Sequence, residues 1–199
     1  MALPLERPAD AVAALELFAT SPKPGSFRLR KAATEAAILA REEKLGTRLP
    51  EELRELLLEH DGLRETLVGS GDYLGGTTTL SGLRRRFRTP WVELAEELGE
   101  EVPFRFGRRY FVIGMFGGTG HAFALLDQKR RVEGGHPVLC FDFDDVEAPL
   151  TGFPSLTDYL HWVFLVAKGA PARTLEKRFP ERYRPAAFKK MLAGAERVT

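Results

Sequence analysis

The chain has 199 residues, 44% hydrophobic and 29% charged, which suits one domain with a sizeable core and argues against global disorder. Its 29 basic and 28 acidic side chains leave a formal charge of +1, which argues against a dedicated nucleic-acid or membrane-surface protein. The single cysteine excludes a disulfide framework or a multi-cysteine metal site. No apolar run approaches the ~18 residues needed to span a bilayer. Met1 to Pro8 lack a signal peptide's apolar stretch, so the expectation is a soluble cytoplasmic protein.

In chain order, Asp10 to Phe18 reads as a short helix, broken by the Pro- and Gly-containing stretch Ser21 to Ser26. Leu29, Ala32, Ala33, Ala36, Ala37 and Ala40 fall at helical spacing, with Gly46 as the stop. Leu49-Pro50-Glu51-Glu52 opens the next helix: proline is tolerated in the first turn, and the two acids complement the helix dipole. Its stripe is Leu49, Leu53, Leu56 and Leu57, and Asp61-Gly62 ends it. The Gly- and Thr-rich stretch from Val68 to Gly82 predicts loops and one short strand near Thr77 to Leu80. Thr89-Pro90 predicts another helix start, with Trp91, Leu94, Ala95 and Leu98 on one face and Gly99 as its end.

Arg109 to Met115, His121 to Asp127 and Pro137 to Phe143 are short runs rich in β-branched and aromatic residues, the signature of strands. Gly117 to Gly120 joins the first two as a hairpin, and Lys129 to Gly135 reads as an exposed loop. Strands without intervening helices predict antiparallel pairing. Ser155, with Asp158 three residues on, resembles a capping box, and Leu156, Tyr159, Leu160, Val163, Phe164 and Ala167 repeat at helical spacing. Residues 168–199 carry nine basic and three acidic side chains, a local net of +6, and read as a basic appendage with one or two short helices.

Ile38, Glu42 or Glu43, Leu45-Gly46, Leu49-Pro50, Leu53, Leu56-Leu57 and Asp61-Gly62 together resemble the opening signature of the SUKH superfamily. That superfamily groups fungal cell-wall assembly regulators with many bacterial immunity proteins. The later pieces are similar too: the glycine turn at 117–120, Leu126-Asp127, the run Val138 to Asp144, and Leu150, Phe153, Ser155, Leu156, Tyr159-Leu160. The resemblance spans roughly 31–167. It implies an α+β fold, a mostly antiparallel sheet packed against helices, and the residues outside it read as N- and C-terminal helical extensions of this single domain. The parts would be an extension over 1–30, the SUKH-like domain over 31–167 with a charged insertion near 84–107, and the basic appendage over 168–199. It further implies a cytosolic, non-enzymatic immunity protein that neutralises a toxin, commonly a nuclease.

Asp142, Asp144, Asp145 and Glu147 form the densest acidic cluster beside a strand. Asp142-Phe143-Asp144 spells the D-x-D that holds a divalent ion in sugar transferases, but three residues match readily by chance, and the stretch fails as an EF-hand. Gly69 to Gly75 misses G-x-G-x-x-G at Leu74, and Gly117 to His121 lacks a Lys-Ser/Thr pair, so both read as tight turns. Cys140 sits in an apolar strand, where a thiol is buried and inert, and the sequence sets none of His121, His136 and His161 against it. Arg84-Arg85-Arg86-Phe87-Arg88 precedes Glu93, Glu96, Glu97, Glu100 and Glu101, so pairing between these blocks is favoured over RNA binding. The expectation is therefore a protein-binding module without catalytic residues, cofactor or metal. Gly118, Thr119, His121, Asp142, Asp144 and Asp145 would face a basic partner such as a nuclease. The alternatives are an intracellular adaptor without a toxin, using the insertion or the tail, and a small metal-dependent enzyme using Asp142 and Asp144.

Overall fold

The computed structural model describes residues 6–20, 27–65, 72–98, 109–116, 122–133, 135–142, 149 and 151–198. Helix α1 (Ala11–Ala19) starts at Asp10, whose carboxylate accepts the Ala13 N–H at 2.8 Å. Strand β1 (Phe27–Leu29) follows, then α2 (Glu35–Leu45), capped by Thr34. Leu29 therefore lies in a strand and not in the helix its spacing predicts, because it finds a cross-strand partner in Leu63. Gly46 ends α2 in the left-handed region at φ 65°, as expected. Helix α3 (Glu51–Glu59) opens after Pro50 and buries Leu53, Leu56 and Leu57.

Strands β2 (Leu63–Glu65) and β3 (Asp72–Leu74) complete a three-stranded antiparallel sheet in the order β1-β2-β3. The strand expected near Thr77 to Leu80 is absent: Thr77 to Thr79 form a turn. The reason is Asp61, whose carboxylate takes up the Thr77 N–H and hydroxyl and so bends the chain towards the next helix.

Helix α4 (Leu80–Leu98) runs through Pro90, so the helix expected to open at Thr89-Pro90 is the continuation of one begun nine residues earlier. Its first half has its own apolar face: Leu80, Leu83 and Phe87 stand at i, i+3 and i+7, all buried. A packed helix of this length absorbs the one backbone donor that proline removes. Gly99, its expected end, lies outside the described residues.

Strands β4 (Tyr110–Phe116), β5 (Ala122–Asp127), β6 (Arg130–Arg131), β7 (Val138–Asp142) and β8 (Thr151–Phe153) follow. Four of them form an antiparallel sheet in the order β4-β5-β7-β8. The register slips between Val112 and Gly114, leaving Ile113 as a bulge. The Ile113 carbonyl accepts the Gly75 N–H at 2.7 Å, which couples this sheet to the three-stranded one.

Helix α5 (Leu156–Ala167) is capped by Ser155, whose hydroxyl accepts the Asp158 N–H at 3.1 Å and donates to its carboxylate at 2.6 Å. Arg7 reaches the same carboxylate at 2.9 Å and ties the N-terminal segment to this helix end. The chain closes with α6 (Ala172–Arg178), α7 (Pro180–Tyr183), α8 (Pro185–Ala193) and β9 (Glu196–Arg197). Because β9 pairs with β6, the stretch expected to be a plain exposed loop carries a strand.

Alternation sends Phe111, Ala124, Leu126, Val138, Cys140 and Phe153 to one face of the four-stranded sheet, where α1, α3 and α5 cover them. It sends Val112, Met115, Phe123, Leu125, Leu139 and Phe141 to the other, under Leu83 and Phe87 of α4 and Phe188 of α8. Both faces are thus internal, and the architecture is α+β with antiparallel sheets, as the sequence implies. The basic segment joins this packing: Leu175 and Phe179 enter the first core and Phe188 the second. Gly152 of the edge strand β8 makes room for it, since a Cβ there would lie 2.6 Å from the Val138 carbonyl oxygen and 2.9 Å from the Phe188 ring.

Candidate functional site

Of the residues expected to face a partner, Gly118, Thr119, His121, Asp144 and Asp145 lie outside the described residues, as does the hairpin turn. Asp142 closes β7, and its backbone pairs with Ala122. The chain therefore enters β5 and leaves β7 at one end of the sheet. Of the acidic block, Glu93, Glu96 and Glu97 fall in α4, and Glu100 and Glu101 lie outside the described residues; the Arg84 guanidinium donates to the Leu45 carbonyl at 2.7 Å. That contact places a cation at the C-terminal end of α2, where the helix dipole favours one.

Cys140 is buried, and burial pushes its thiol up to about 11, with Arg182 and Thr151 opposing. At neutral pH it is protonated and a poor nucleophile. His161 is also buried, with its ring edge-on to Phe179 at 5.9 Å. His136 Nδ1 lies 3.2 Å from the Asp127 carbonyl and 2.9 Å from that of Arg130, so this nitrogen carries the proton.

These carbonyls belong to a polar cluster that the sequence signals only through Leu126-Asp127. Asp127 is fully buried, and its carboxylate accepts from Arg109 Nε and Nη2 at 3.3 and 3.2 Å and from the Lys129 N–H at 3.1 Å. Glu52 of α3 faces the same corner. Burial raises its carboxyl above the ordinary range, against the pull of His136 and Arg131. The Asp127 carboxylate has its donors inside the fold, whereas Glu52 Oε1 is buried without a hydrogen-bond partner among the described residues, so the Asp127 part of the cluster braces β5 against β6.

Among the described residues, two of the recesses open to solvent. One, of about 580 Å³, lies between the turn at Val132 and Glu133 and the helix α8 residues Ala187, Lys190 and Met191. The other, of about 550 Å³, is a groove between α2 and α3 lined by Leu39, Glu42, Arg48, Leu49, Glu51, Arg54 and Glu55. Part of its polar lining is spoken for: Glu42 accepts the Leu49 N–H at 2.9 Å, and Arg54 pairs with Glu35. Glu51 and Glu55, one helical turn apart, have no cationic partner among the described residues. Leu39 at its wall is 53% exposed.

Comparison with known families gives one finding. Residues 32–162 match the family model described as the SMI1 / KNR4 family (SUKH-1), from just before α2 to within α5. No curated protein matches the chain. Among the described residues no helix is long and apolar enough to cross a membrane.

Proposed function

Since this chain belongs to the SMI1/KNR4 family (SUKH-1), we propose that it is a non-enzymatic, cytoplasmic protein-binding module that neutralises a cognate bacterial toxin. The family match over 32–162 carries this reading, because the family is consistent with an immunity or regulatory module. The packing supports it in kind. With both faces of the four-stranded sheet internal and the Asp127 carboxylate paired inside the fold, the described residues form a packed scaffold that offers helix faces to a partner. Such a scaffold binds at little conformational cost and works by covering its partner's active surface.

The test is co-expression with the toxin domain encoded in the neighbouring reading frame. Restored growth and a stoichiometric complex by size-exclusion chromatography are expected. A chain that binds no such domain, or that turns over a small substrate, would overturn it.

One observation favours an adaptor as the second reading. The segment beyond the family match exposes Arg173, Lys177, Arg178, Lys189 and Lys190 while its apolar residues are built into the core. Deleting it would damage the fold, so the discriminating variant reverses those five charges. An adaptor using the tail loses its partner, whereas the immunity protein keeps neutralising its toxin.

A further inference from the structure

We infer that the groove between α2 and α3 is the docking surface, and that it takes a basic segment of the partner protein carrying an apolar anchor. The inference rests on the protein-binding reading above and supplies what that reading leaves open, the surface and the chemistry it selects. Three observations converge. Leu39 is the most exposed of the large apolar side chains among the described residues, although its neighbour Ile38 is fully buried. It projects from the outer side of α2 over a recess of about 550 Å³, large enough for the side chains of one partner element. The flanking carboxylates of Glu51 and Glu55 stand one helical turn apart on α3, with no cation of their own among the described residues. The groove lining sets Glu42, Glu51 and Glu55 against Arg48 and Arg54, and Arg54 is paired with Glu35, so the charge left at the groove leans negative in a chain whose total charge is nearly zero.

An anchor in the groove would bury Leu39, and Lys or Arg residues on either side of that anchor would meet Glu51 and Glu55. Carboxylates at the rim set the rate of encounter and reject acidic partners, while the apolar contact sets residence time. A toxin that must hold phosphates is basic and fits this selection.

The probe is a synthetic amphipathic peptide of Leu and Lys, roughly four helical turns long, with its Glu-for-Lys counterpart as control. Titrated into the 15N-labelled full chain, the basic peptide should shift amides within 35–59, bind more weakly as salt rises, and leave the acidic peptide without effect. Leu39→Asp and the double variant Glu51→Lys/Glu55→Lys should each weaken binding at least about tenfold. Leu39, Glu51 and Glu55 lie on the surface, so the circular dichroism of the variants should match the parent; Glu51→Lys gives up a favourable helix-dipole contact, so only the double variant should melt slightly earlier. Equal binding by the variants, or shifts centred elsewhere, overturns the inference. So does self-association of the chain that Leu39→Asp abolishes, which would make a second copy the occupant. The same variants in the growth-rescue experiment separate the two readings. Rescue by the parent and equally by the variants sinks the groove and leaves the immunity function standing. Peptide binding at the groove without any rescue sinks the immunity function and leaves the groove standing.

Discussion

The carboxylate of Asp61 accepts two hydrogen bonds from Thr77, from its backbone N–H at 2.5 Å and from its hydroxyl at 2.9 Å. This one residue, at the end of α3, fixes the turn that launches α4. Thr77 is nearly buried, so an Asp61→Ala chain leaves its donors without water or protein to satisfy them. The expected loss is about 2–3 kcal/mol in urea unfolding, and less for Asp61→Asn, which keeps one acceptor. An Asp61→Ala chain as stable as the parent would show that the turn holds itself.

The glycines around this junction should rank in stability by what a methyl group would meet. At Gly76 a Cβ would lie 2.2 Å from the Asp61 carbonyl oxygen, so Gly76→Ala forces backbone to move, and a loss above about 2 kcal/mol is expected. Gly46 has open space but φ +65°, and its alanine variant should lose about 1 kcal/mol. Gly82, inside α4 with nothing within 4 Å, should gain about 0.5–1 kcal/mol as alanine. Chemical denaturation of the three variants checks the order.

Phe188 couples the C-terminal segment to the second core, where it is 3% exposed. Phe188→Ala should cost about 3–5 kcal/mol. Gly152→Ala should also destabilise, because it pushes against Phe188 and the Val138 carbonyl. A melting temperature unmoved by Phe188→Ala would make the segment a loosely held appendage after all.

Alkaline pH should destabilise the fold through Cys140. Burial holds its folded-state value at about 11 against 9.0 for the free thiol. Below pH 9 both states keep the proton and stability is unaffected. Between 9 and 11 the unfolded chain releases it first, so stability falls as pH rises, by about 3 kcal/mol in total. Cys140→Ala should flatten that slope in denaturation curves recorded from pH 8 to 11, whatever it does to stability at neutral pH.

Much of the fold was legible because its signals are local. Pro50 with its two acids, Gly46 and the Ser155–Asp158 pair mark helix ends, and each acts through groups within a few residues of itself. The central strands showed in their β-branched and aromatic runs and came out within a residue or two. The ordered motif from Ile38 to Leu160 likewise identified the family. The candidate groove was harder to read, since Leu39 looks in sequence like one more apolar helix residue, and only its 53% exposure beside a buried Ile38 sets it apart.

By itself, then, the sequence determined the caps of α2, α3 and α5, the three central strands β4, β5 and β7, and the family, because caps, turns and alternation are decided by short-range sterics and hydrogen bonding. The tertiary structure decided the rest. Leu29 became a strand residue because Leu63 lay ready to pair with it, and α4 passed through Pro90 because Leu83 and Phe87 were already buried against the sheet. The basic tail became a wall of the core because Phe188 found the space left by Gly152. Each outcome depends on burial against a segment distant in sequence, and that free energy exists only once the chain has folded.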